Sequence, residues 1–314
     1  MTIPGGLRTL SGWSIGLSAL LTAACTSSSG SGQENQGLPA DCTATVTRSS
    51  DVRQALDSAM PGSLVCFTGG NLTDADLQMT KSGTADSPIK LMADGATVDN
   101  IHVTANYVLV EGFTVSGGDG ILLEGTGITA QRNTIHDTRR GGVACIPCTD
   151  STITANTVQH VATAGIYISG QRITVSGNTV SDTIAVDDGD ADGMRFFGTG
   201  HRITGNTIRN ISDRGYRAPP HPDCFQTFDT GPGAPVADSG PSRHVLIEDN
   251  RCERVEESCL VAQGPHSRAG TGGGAGETSD IAFTGNYCEA HYVQAVLFDD
   301  VRQGSATDNE IACT

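Results

Sequence analysis

The sequence predicts an all-β chain folded as a solenoid, and a recurring asparagine is the first observation behind this prediction. The asparagine returns in short segments such as Ser-Gly-Asn-Thr-Val and Thr-Gly-Asn-Thr-Ile. Its seven positions are Asn133, Asn156, Asn178, Asn206, Asn250, Asn286 and Asn309. A repeat in the low twenties, without the long apolar face of a helix, is typical of a solenoid in which each repeat forms one rung. We therefore expect these asparagines to line one corner, where their side chains bond backbone groups and one another.

The second observation is one short apolar segment per repeat, which predicts the strands of one face. These segments span 120–124, 142–146, 165–169, 193–197, 224–228, 259–263 and 295–299. Placed in register, they predict one inward stack of side chains, formed by Ile121, Val143, Ile166, Met194, Phe225, Leu260 and Val296. Abundant glycine (40 residues) and few aromatic residues (4%) suit the tight turns and narrow aliphatic core of such a fold.

A short helix is predicted over Ser50–Met60, before the repeats. Ser50 is a suitable N-cap, and Pro61 and Gly62 stop the helix. Because the end of a solenoid exposes unpaired strand edges, we expect this helix to cover the N-terminal end.

The repeats resemble the right-handed parallel β-helix of the pectate-lyase-like superfamily over roughly residues 60–314. The segments 59–65 (Ala-Met-Pro-Gly-Ser-Leu-Val), 81–84 and 87–91 are similar to the first turns of the chondroitinase B and alginate lyase group. The resemblance implies a single-stranded right-handed parallel β-helix with a short capping helix, in one domain over residues 41–314. Since it concerns scaffold residues, it implies the fold rather than an activity.

The first 25 residues are typical of an export signal, with Arg8 as the positive start and residues 13–21 as the apolar run. The last five, Leu-Thr-Ala-Ala-Cys, resemble the lipobox of bacterial lipoproteins, which implies that Cys25 carries lipid. Cleavage at an Ala-x-Ala-like site with free secretion is the alternative. Residues 26–40, rich in serine and glycine, predict a flexible linker. In either case we expect an exported protein, either a cell-surface lipoprotein or a secreted one.

The formal net charge of −16 excludes some partners. An acidic surface repels nucleic acid and anionic membranes. We therefore expect a monomer with no nucleic-acid partner, which contacts a membrane only through an N-terminal lipid anchor. An acidic polysaccharide would need a metal ion or local arginines to be held.

Nine cysteines follow Cys25, and in an exported chain we expect them to form disulfides. Register and spacing suggest four pairs, namely Cys42–Cys66, Cys145–Cys148, Cys224–Cys259 and Cys252–Cys288. Cys313 is left over in this scheme.

The repeats lose their regularity between Asn178 and Asn286, and this part of the chain predicts the binding face. The extra residues fall in segments 184–191, 209–221, 229–242 and 264–279. Insertions at one phase of a solenoid build walls beside one face, which is often the binding face. Decorative loops are the alternative. In or beside these walls we expect Arg217, Gln263 and His266 to contact a substrate.

The strands between these walls carry polar and aromatic residues that predict a sugar-binding floor. Alternation turns Arg195 and Gln226 outward on neighbouring rungs about 4.8 Å apart, with Tyr167 one rung earlier. Phe197 and Phe228 are expected to point outward, exposed and stacked. An outer patch covered by a loop is the alternative.

Two aspartates and a histidine are candidates for acid–base chemistry. Asp192 and Asp223 occupy the same position before their strands, and two neighbouring carboxylates cannot both ionise cheaply. Either one has a raised pKa and serves as an acid or base, or a cation lies between them. If both are buried, they cap a corner instead. His221 adds a general acid or base that works near neutral pH.

One acidic segment, Asp-Gly-Asp-Ala-Asp-Gly (188–193), is similar to the start of a calcium loop, although its twelfth position is Thr199. It predicts a calcium site formed by Asp188, Asp190 and Asp192, and calcium is the one cofactor that we expect. An acidic turn is the alternative.

Together these residues predict an exported polysaccharide-cleaving enzyme, which we expect to be a lyase that acts by β-elimination on a uronate-containing glycan. The expected catalytic residues are Asp192, Arg195, His221, Asp223 and Gln226. The expected substrate-binding residues are Tyr167, Phe197, Arg217, Phe228, Gln263 and His266.

Two other functions stay open. Relatives of chondroitinase B use a lysine and an arginine on the middle rungs, whereas the lysines here, Lys81 and Lys90, lie in the first turns. A glycoside hydrolase that uses Asp192 and Asp223 in the same groove is therefore one alternative. A non-catalytic surface lipoprotein that binds glycan through its aromatic residues is the other.

Overall fold

The computed structural model describes residues 38–186, 190–213, 216, 220–229, 240–267, 277–291 and 294–313. The predicted export signal, Cys25 and most of the predicted linker lie outside these residues, as do Asp188 and Arg217. Lipidation therefore stays a prediction from the sequence. In the described ranges, no helix is long and apolar enough to cross a membrane.

The described residues form one helix and a single sheet of 26 strands. The elements are β1 Ala44–Val46, α1 Ser49–Asp57, β2 Leu64–Asn71, β3 Leu77–Met79, β4 Ile89–Thr104, β5 Val108–Glu111, β6 Thr114–Thr126, β7 Thr129–Gln131, β8 Thr134–His136, β9 Gly141–Thr149, β10 Thr152–Thr154, β11 Thr157–Gln159, β12 Ala164–Gln171, β13 Thr174–Ser176, β14 Thr179–Ser181, β15 Asp192–Thr199, β16 Arg202–Thr204, β17 Thr207–Ile211, β18 Phe225–Phe228, β19 Arg243–Glu248, β20 Arg251–Val255, β21 Leu260–Gln263, β22 Ser279–Thr284, β23 Tyr287–Ala290, β24 Val296–Asp299, β25 Arg302–Thr307 and β26 Glu310–Cys313. Each strand pairs in parallel with the equivalent strand of the next lap, so the fold is a parallel β-helix.

The predicted inward stack is confirmed residue by residue. The pairs in register are Ile121–Val143, Val143–Ile166, Ile166–Met194, Met194–Phe225, Phe225–Leu260 and Leu260–Val296. All of these side chains are buried except that of Val296, which is partly buried in the last lap. The core is therefore a column of aliphatic and aromatic side chains along the solenoid axis.

The glycine that opens several of these strands is required by the close approach of the next lap. A Cβ atom on Gly142 would lie 2.2 Å from the carbonyl oxygen of Gly165, and one on Gly193 would lie 2.8 Å from that of Cys224. Both distances are shorter than a carbon–oxygen contact allows. The recurring glycine therefore marks the beginning of several of these strands, where the next lap passes close to the backbone.

The predicted asparagine ladder is also confirmed. The backbone N–H and the side-chain amide of Asn178 both donate to Oδ1 of Asn206, each at 2.9 Å, and Asn156 makes the same two bonds to Asn178. The same amide of Asn178 also donates to the carbonyl oxygen of Ile153, at 2.9 Å. The pattern runs from Asn133 to Asn309. Since a buried amide without partners is costly, the ladder stabilises only the in-register arrangement.

The helix lies at the N-terminal end, where it contacts β1 and β3 through the buried side chains of Val52 and Leu56. Its predicted bounds are partly wrong. The N-cap position is Arg48 rather than Ser50, which lies inside the helix with its hydroxyl donating to the Asp51 carboxylate at 3.0 Å. The helix ends at Asp57, three residues before the predicted end.

The described residues contain four disulfides, of which two were predicted correctly: Cys42–Cys66 and Cys145–Cys148. The other two are Cys224–Cys252 and Cys259–Cys288, with Cα–Cα distances of 6.1 and 5.9 Å. The predicted pairs Cys224–Cys259 and Cys252–Cys288 are therefore wrong. Side chains in register on parallel strands lie about 4.8 Å apart and point the same way, whereas a disulfide needs Cβ atoms about 3.8 Å apart. The observed partners are buried cysteines that do not occupy equivalent positions of neighbouring laps, and their Cα atoms are close enough for a disulfide.

The ladder predicts a position-dependent cost of removing an asparagine. We expect Asn178→Ala to lower the free energy of unfolding by about 2–4 kcal/mol, because it leaves buried N–H and C=O groups without partners. Asn309→Ala removes the same kinds of bonds at the half-buried last rung, where water can replace them, and we expect a loss below about 1 kcal/mol. Urea unfolding of both variants measures the difference. Equal losses would contradict the role given to the ladder.

Candidate functional site

The candidate site lies on the outer face of the strands that carry the inward stack. In this face Tyr167 pairs with Arg195, and Arg195 pairs with Gln226, so the predicted register of these residues is confirmed. The same outward column continues to Ala144 on one side and to Val261 on the other. Residues far apart in the sequence are thus brought to one strip of surface parallel to the solenoid axis.

The guanidinium of Arg195 is held between two carboxylates. Its Nε donates to Oδ2 of Asp192 at 2.6 Å, and its Nη2 donates to Oδ2 of Asp190 at 3.0 Å. The guanidinium carbon lies 5.7 Å from the centroid of the Phe228 ring, within the range of a cation–π contact. The Arg195 side chain is 14% exposed, so it is fixed in place but still reaches the surface.

Asp192 and Asp223 are neighbours, as expected, but both are buried, at 0% and 3% exposure. Asp192 Oδ1 accepts the backbone N–H of Asp223, and Asp223 Oδ1 accepts that of Ser258, each at 2.9 Å. They therefore form a short carboxylate ladder at the start of the strands, and the alternative in which they cap a corner is the correct one. The expectation that this pair acts as an acid–base couple in the groove is not supported, because each carboxylate is buried and accepts a backbone N–H of the following lap.

Burial changes the protonation of this pair. Burial raises the pKa of Asp192 to about 6, although the adjacent Arg195 opposes the shift. Burial, together with the negative charge of Asp192, raises the pKa of Asp223 to about 8. Among the described residues no arginine pairs with Asp223 to favour its charged form, so a pKa of about 8 leaves it protonated near neutral pH. The pair is arranged as one carboxylate beside one carboxylic acid.

His221 is exposed at the edge of this cluster. Its backbone N–H donates to Oδ1 of Asp190, at 3.0 Å, so Asp190 connects His221 to Arg195. Glu257, half-buried nearby, was not expected from the sequence. Burial raises the pKa of the Glu257 carboxyl, and the positive charge of a protonated His221 opposes this shift.

Gln226 is buried, at 7% exposure. Its Nε2 donates to Oδ2 of Asp223 at 3.3 Å, while its Oε1 has no hydrogen-bond partner in the described part of the chain. A Gln226 amide turned by half a rotation would accept the proton of a neutral Asp223 instead. Gln226 therefore supports the carboxylate pair from the outer side, and is too buried to bind a substrate by itself.

The aromatic residues form a layered patch rather than an exposed stack. Phe197 points away from the core column but is only 2% exposed, because Tyr167 and Phe228 cover it. The ring centroids of Phe197 lie 5.5 Å from Tyr167 and 5.1 Å from Phe228. The expectation that Phe197 is exposed is therefore wrong, whereas Tyr167 and Phe228 stay half-buried and reach the surface.

The remaining predicted contacts lie towards the C-terminal end. Gln263 is half-buried and pairs with Phe228, so it borders the aromatic patch. His266 is exposed and lines a separate cavity of about 410 Å³, together with Glu277 and Arg302. The structure therefore brings Gln263 to the site but leaves His266 outside it. Arg217 lies outside the described residues.

The calcium prediction finds little support in the arrangement of these aspartates. Both oxygens of Asp192 accept N–H donors, one from Asp223 and one from Arg195, and Asp190 also pairs with Arg195. The carboxylates of Asp190 and Asp192 are therefore already bonded to a guanidinium, and this arrangement leaves no room for a calcium ion in addition. In the described ranges, no three His, Cys, Asp or Glu residues cluster in a way that could hold a metal ion. Asp188 lies outside the described residues, so a calcium requirement stays a prediction.

A groove of about 430 Å³ lies beside Tyr167, on the earlier laps. Its lining residues include Leu122, Ala144, Arg139 and Arg140. Sequence reasoning missed this groove, although two adjacent arginines in an acidic chain are a signal that could have identified it.

The protonated state of Asp223 predicts how stability depends on pH. Its folded pKa, about 8, lies above the unfolded value of about 3.9. The stability that it contributes is therefore full below pH ~4 and is lost as the pH rises through about 8. We expect Asp223→Asn, which imitates the neutral acid, to remove this loss and to exceed the wild type at pH 9 by more than ~1 kcal/mol. Thermal unfolding across this pH range measures the effect.

Asp119→Asn is the matched control for this experiment, because Asp119 is exposed and lies in an earlier lap. We expect it to keep the wild-type dependence on pH. The account of the carboxylate pair would be refuted by an Asp223→Asn variant whose stability falls with pH as steeply as that of the control.

Comparison with solved structures places this geometry in a known scaffold. An alginate lyase from Paenibacillus sp. str. FPU-7 is similar, with 17% identity, a TM-score of 0.61, and coverage of 87% of this chain and 99% of that chain. PfbA, a surface adhesin of Streptococcus pneumoniae, has 10% identity, a TM-score of 0.51, and coverage of 84% of this chain and 85% of that chain. No curated protein matches the chain. At such identities the similarity shows a shared fold only. One of the two proteins is a lyase and the other is an adhesin, so the fold does not identify an activity.

A family model agrees with the architecture. The model described as the right handed beta helix region matches residues 82–218 and 119–312, which together span most of the chain. These segments contain the inward stack, the asparagine ladder and the outer face with Arg195. The chain therefore belongs to the right-handed β-helix family.

Proposed function

We propose that this protein is an exported enzyme that cleaves a uronate-containing polysaccharide by β-elimination. The observation that carries the proposal is Arg195, a guanidinium fixed at the outer face with Tyr167 in the preceding lap and His221 at its edge. A guanidinium pairs with a carboxylate more specifically than any other side chain, and a uronate offers that carboxylate. The fold that the chain shares with an alginate lyase supports the proposal at the level of the scaffold.

The burial of the two aspartates favours a lyase over a hydrolase. A glycoside hydrolase needs two carboxyl groups that flank the scissile bond and touch the substrate. Asp192 and Asp223 are almost completely buried and occupied by backbone N–H groups, so they cannot take these positions. Elimination instead needs a cationic group for the carboxylate and a base for the neighbouring proton, and exposed or half-buried side chains supply both.

The proposed reaction uses Arg195, His221 and Tyr167. Arg195 keeps N–H groups beyond the two that bond Asp190 and Asp192, and these bind the uronate carboxylate, which makes the C5 proton more acidic. The His221 imidazole takes this proton, and the electron pair that remains forms the C4–C5 double bond. The glycosidic oxygen leaves C4 and takes a proton from the Tyr167 hydroxyl. Asp190 and Asp192 position Arg195, and Asp223 and Gln226 support Asp192.

The site of action follows from the covalent structure. Disulfides form and persist in oxidising environments, and the four in the described residues fit an exported protein. We infer that the enzyme acts outside the cytoplasm, where polysaccharides are reached.

His221→Ala tests this function directly. The side chain is exposed, so its removal leaves the fold intact, while loss of the base should lower kcat on a polyuronate such as alginate by at least ~100-fold. The measurement is the ultraviolet absorbance of the unsaturated uronate product. His244→Ala is the matched control, because His244 is exposed on β19, away from the site, and we expect it to keep full activity.

The products separate the competing functions. New reducing ends without unsaturated sugar would identify a hydrolase and contradict the proposal. Binding of glycan with neither product, over a panel of polyuronates, would identify a binding protein. Full activity of His221→Ala would remove His221 from the mechanism.

A further inference from the structure

The groove beside Tyr167 is a second place on the outer face where a sugar can bind. Its floor is formed by Leu122, Ala144 and Tyr167, which occupy equivalent positions on β6, β9 and β12. These side chains are half-buried, and the groove above them has a volume of about 430 Å³. A shallow floor of apolar and aromatic groups suits the carbon face of a sugar ring.

Two arginines form one wall of this groove. Arg139 and Arg140 lie at the corner between β8 and β9, and both are exposed. The Arg139 backbone N–H donates to the carbonyl oxygen of Gly118 at 2.8 Å, which fixes the corner. Arg140 approaches Asp119 at 3.8 Å, with the two side chains 80% and 58% exposed, so this pair is weak and open to exchange. In the described part of the chain, no carboxylate pairs with the Arg139 guanidinium.

The positive wall is unusual for this molecule. The chain has 35 acidic and 19 basic residues, and a net charge of −16 repels any acidic polymer at long range. An acidic polysaccharide therefore needs a place where arginines or a bound cation locally reverse the sign of the charge. The groove is lined by Arg139 and Arg140 and by one carboxylate, that of Asp119, so its charged lining residues leave one net positive charge. Arg195 is the arginine at the candidate reaction site.

The groove and the candidate reaction site are adjacent along the solenoid axis, and Tyr167 belongs to both. Tyr167 lines the groove and pairs in register with Arg195. Neighbouring strands lie about 4.8 Å apart, so Ala144 lies two laps, or roughly 10 Å, from Arg195 along the axis. A polysaccharide laid along this column therefore meets Arg195 first and the wall of Arg139 and Arg140 a few sugars later.

We propose that this groove is a second carboxylate subsite, so that the enzyme recognises runs of acidic sugars rather than a single uronate. The inference rests on the proposed function, because the position of the second subsite is defined by its distance from the reaction site at Arg195. The guanidinium groups of Arg139 and Arg140 bind the carboxylate of one sugar while Leu122, Ala144 and Tyr167 contact its ring.

The test compares short and long acidic oligosaccharides. In the His221→Ala background, which leaves the substrate uncleaved, the Kd values of a mannuronate disaccharide and a tetrasaccharide are measured by calorimetry. The double variant Arg139→Gln/Arg140→Gln should weaken tetrasaccharide binding by at least about tenfold and leave disaccharide binding within about twofold. A neutral cellulose tetrasaccharide should bind neither protein.

The matched control is Arg48→Gln/Arg53→Gln on and beside α1. It removes the same number of positive charges. Like the groove pair, it combines one arginine in an exposed ion pair with one exposed arginine that has no ion pair in the described residues. We expect this control to bind both oligosaccharides as the parent does, apart from a small uniform effect of net charge.

The outcomes separate the subsite from the function. If both double variants bind the tetrasaccharide equally, the subsite is refuted, while activity of the otherwise wild-type enzyme on alginate still decides the function. If the His221→Ala parent binds the neutral but not the acidic oligosaccharides, and the wild-type enzyme forms no unsaturated product, the subsite and the proposed function both fail.

Discussion

The register between successive laps is the constraint on which the rest of this structure depends. Asn133 to Asn309 bond one another in sequence, and every bond requires that the next lap begin at the same height. A slip of one residue would leave buried amides without partners and turn inward side chains outward. Because the register holds, Tyr167, Arg195 and Gln226 lie side by side although 28 and 31 residues separate them in the sequence.

The same register creates an electrostatic problem at the site and also its solution. Asp192 and Asp223 are stacked and buried, so both cannot carry charge. Asp192 is stabilised in its charged form by Arg195 and by a backbone N–H, whereas Asp223 has a raised pKa and keeps its proton. The buried pair therefore fixes Arg195 at the surface, with only part of its hydrogen-bonding capacity used. In this account the aspartates position the arginine and do not touch the substrate.

The features that could be predicted from the sequence are those that depend on spacing alone. The inward stack and the asparagine ladder follow from a repeat length, since equal spacing along the chain becomes vertical alignment in the solenoid. The pairing of Arg195 with Gln226 follows in the same way. These predictions did not depend on how individual side chains pack against one another.

The features that could not be predicted depend on the orientation of individual side chains and on their burial by neighbouring residues. Two cysteine pairs were expected between equivalent positions of neighbouring rungs, yet Cys224 bonds Cys252, which lies on a different strand of the lap. Phe197 was placed on the surface, but Tyr167 and Phe228 cover it. The groove at Arg139 was missed because its floor consists of ordinary residues that become a binding surface only when stacked.

The central claim is that one outer strip, from Arg139 to Arg195, holds an acidic glycan parallel to the solenoid axis. A crystal structure of the His221→Ala variant with a mannuronate tetrasaccharide tests it most directly. The account predicts one uronate carboxylate on Arg195 and the remaining sugars over Tyr167 and Ala144. A glycan bound on another face of the β-helix, with Arg195 still enclosed by its aspartates alone, would contradict it.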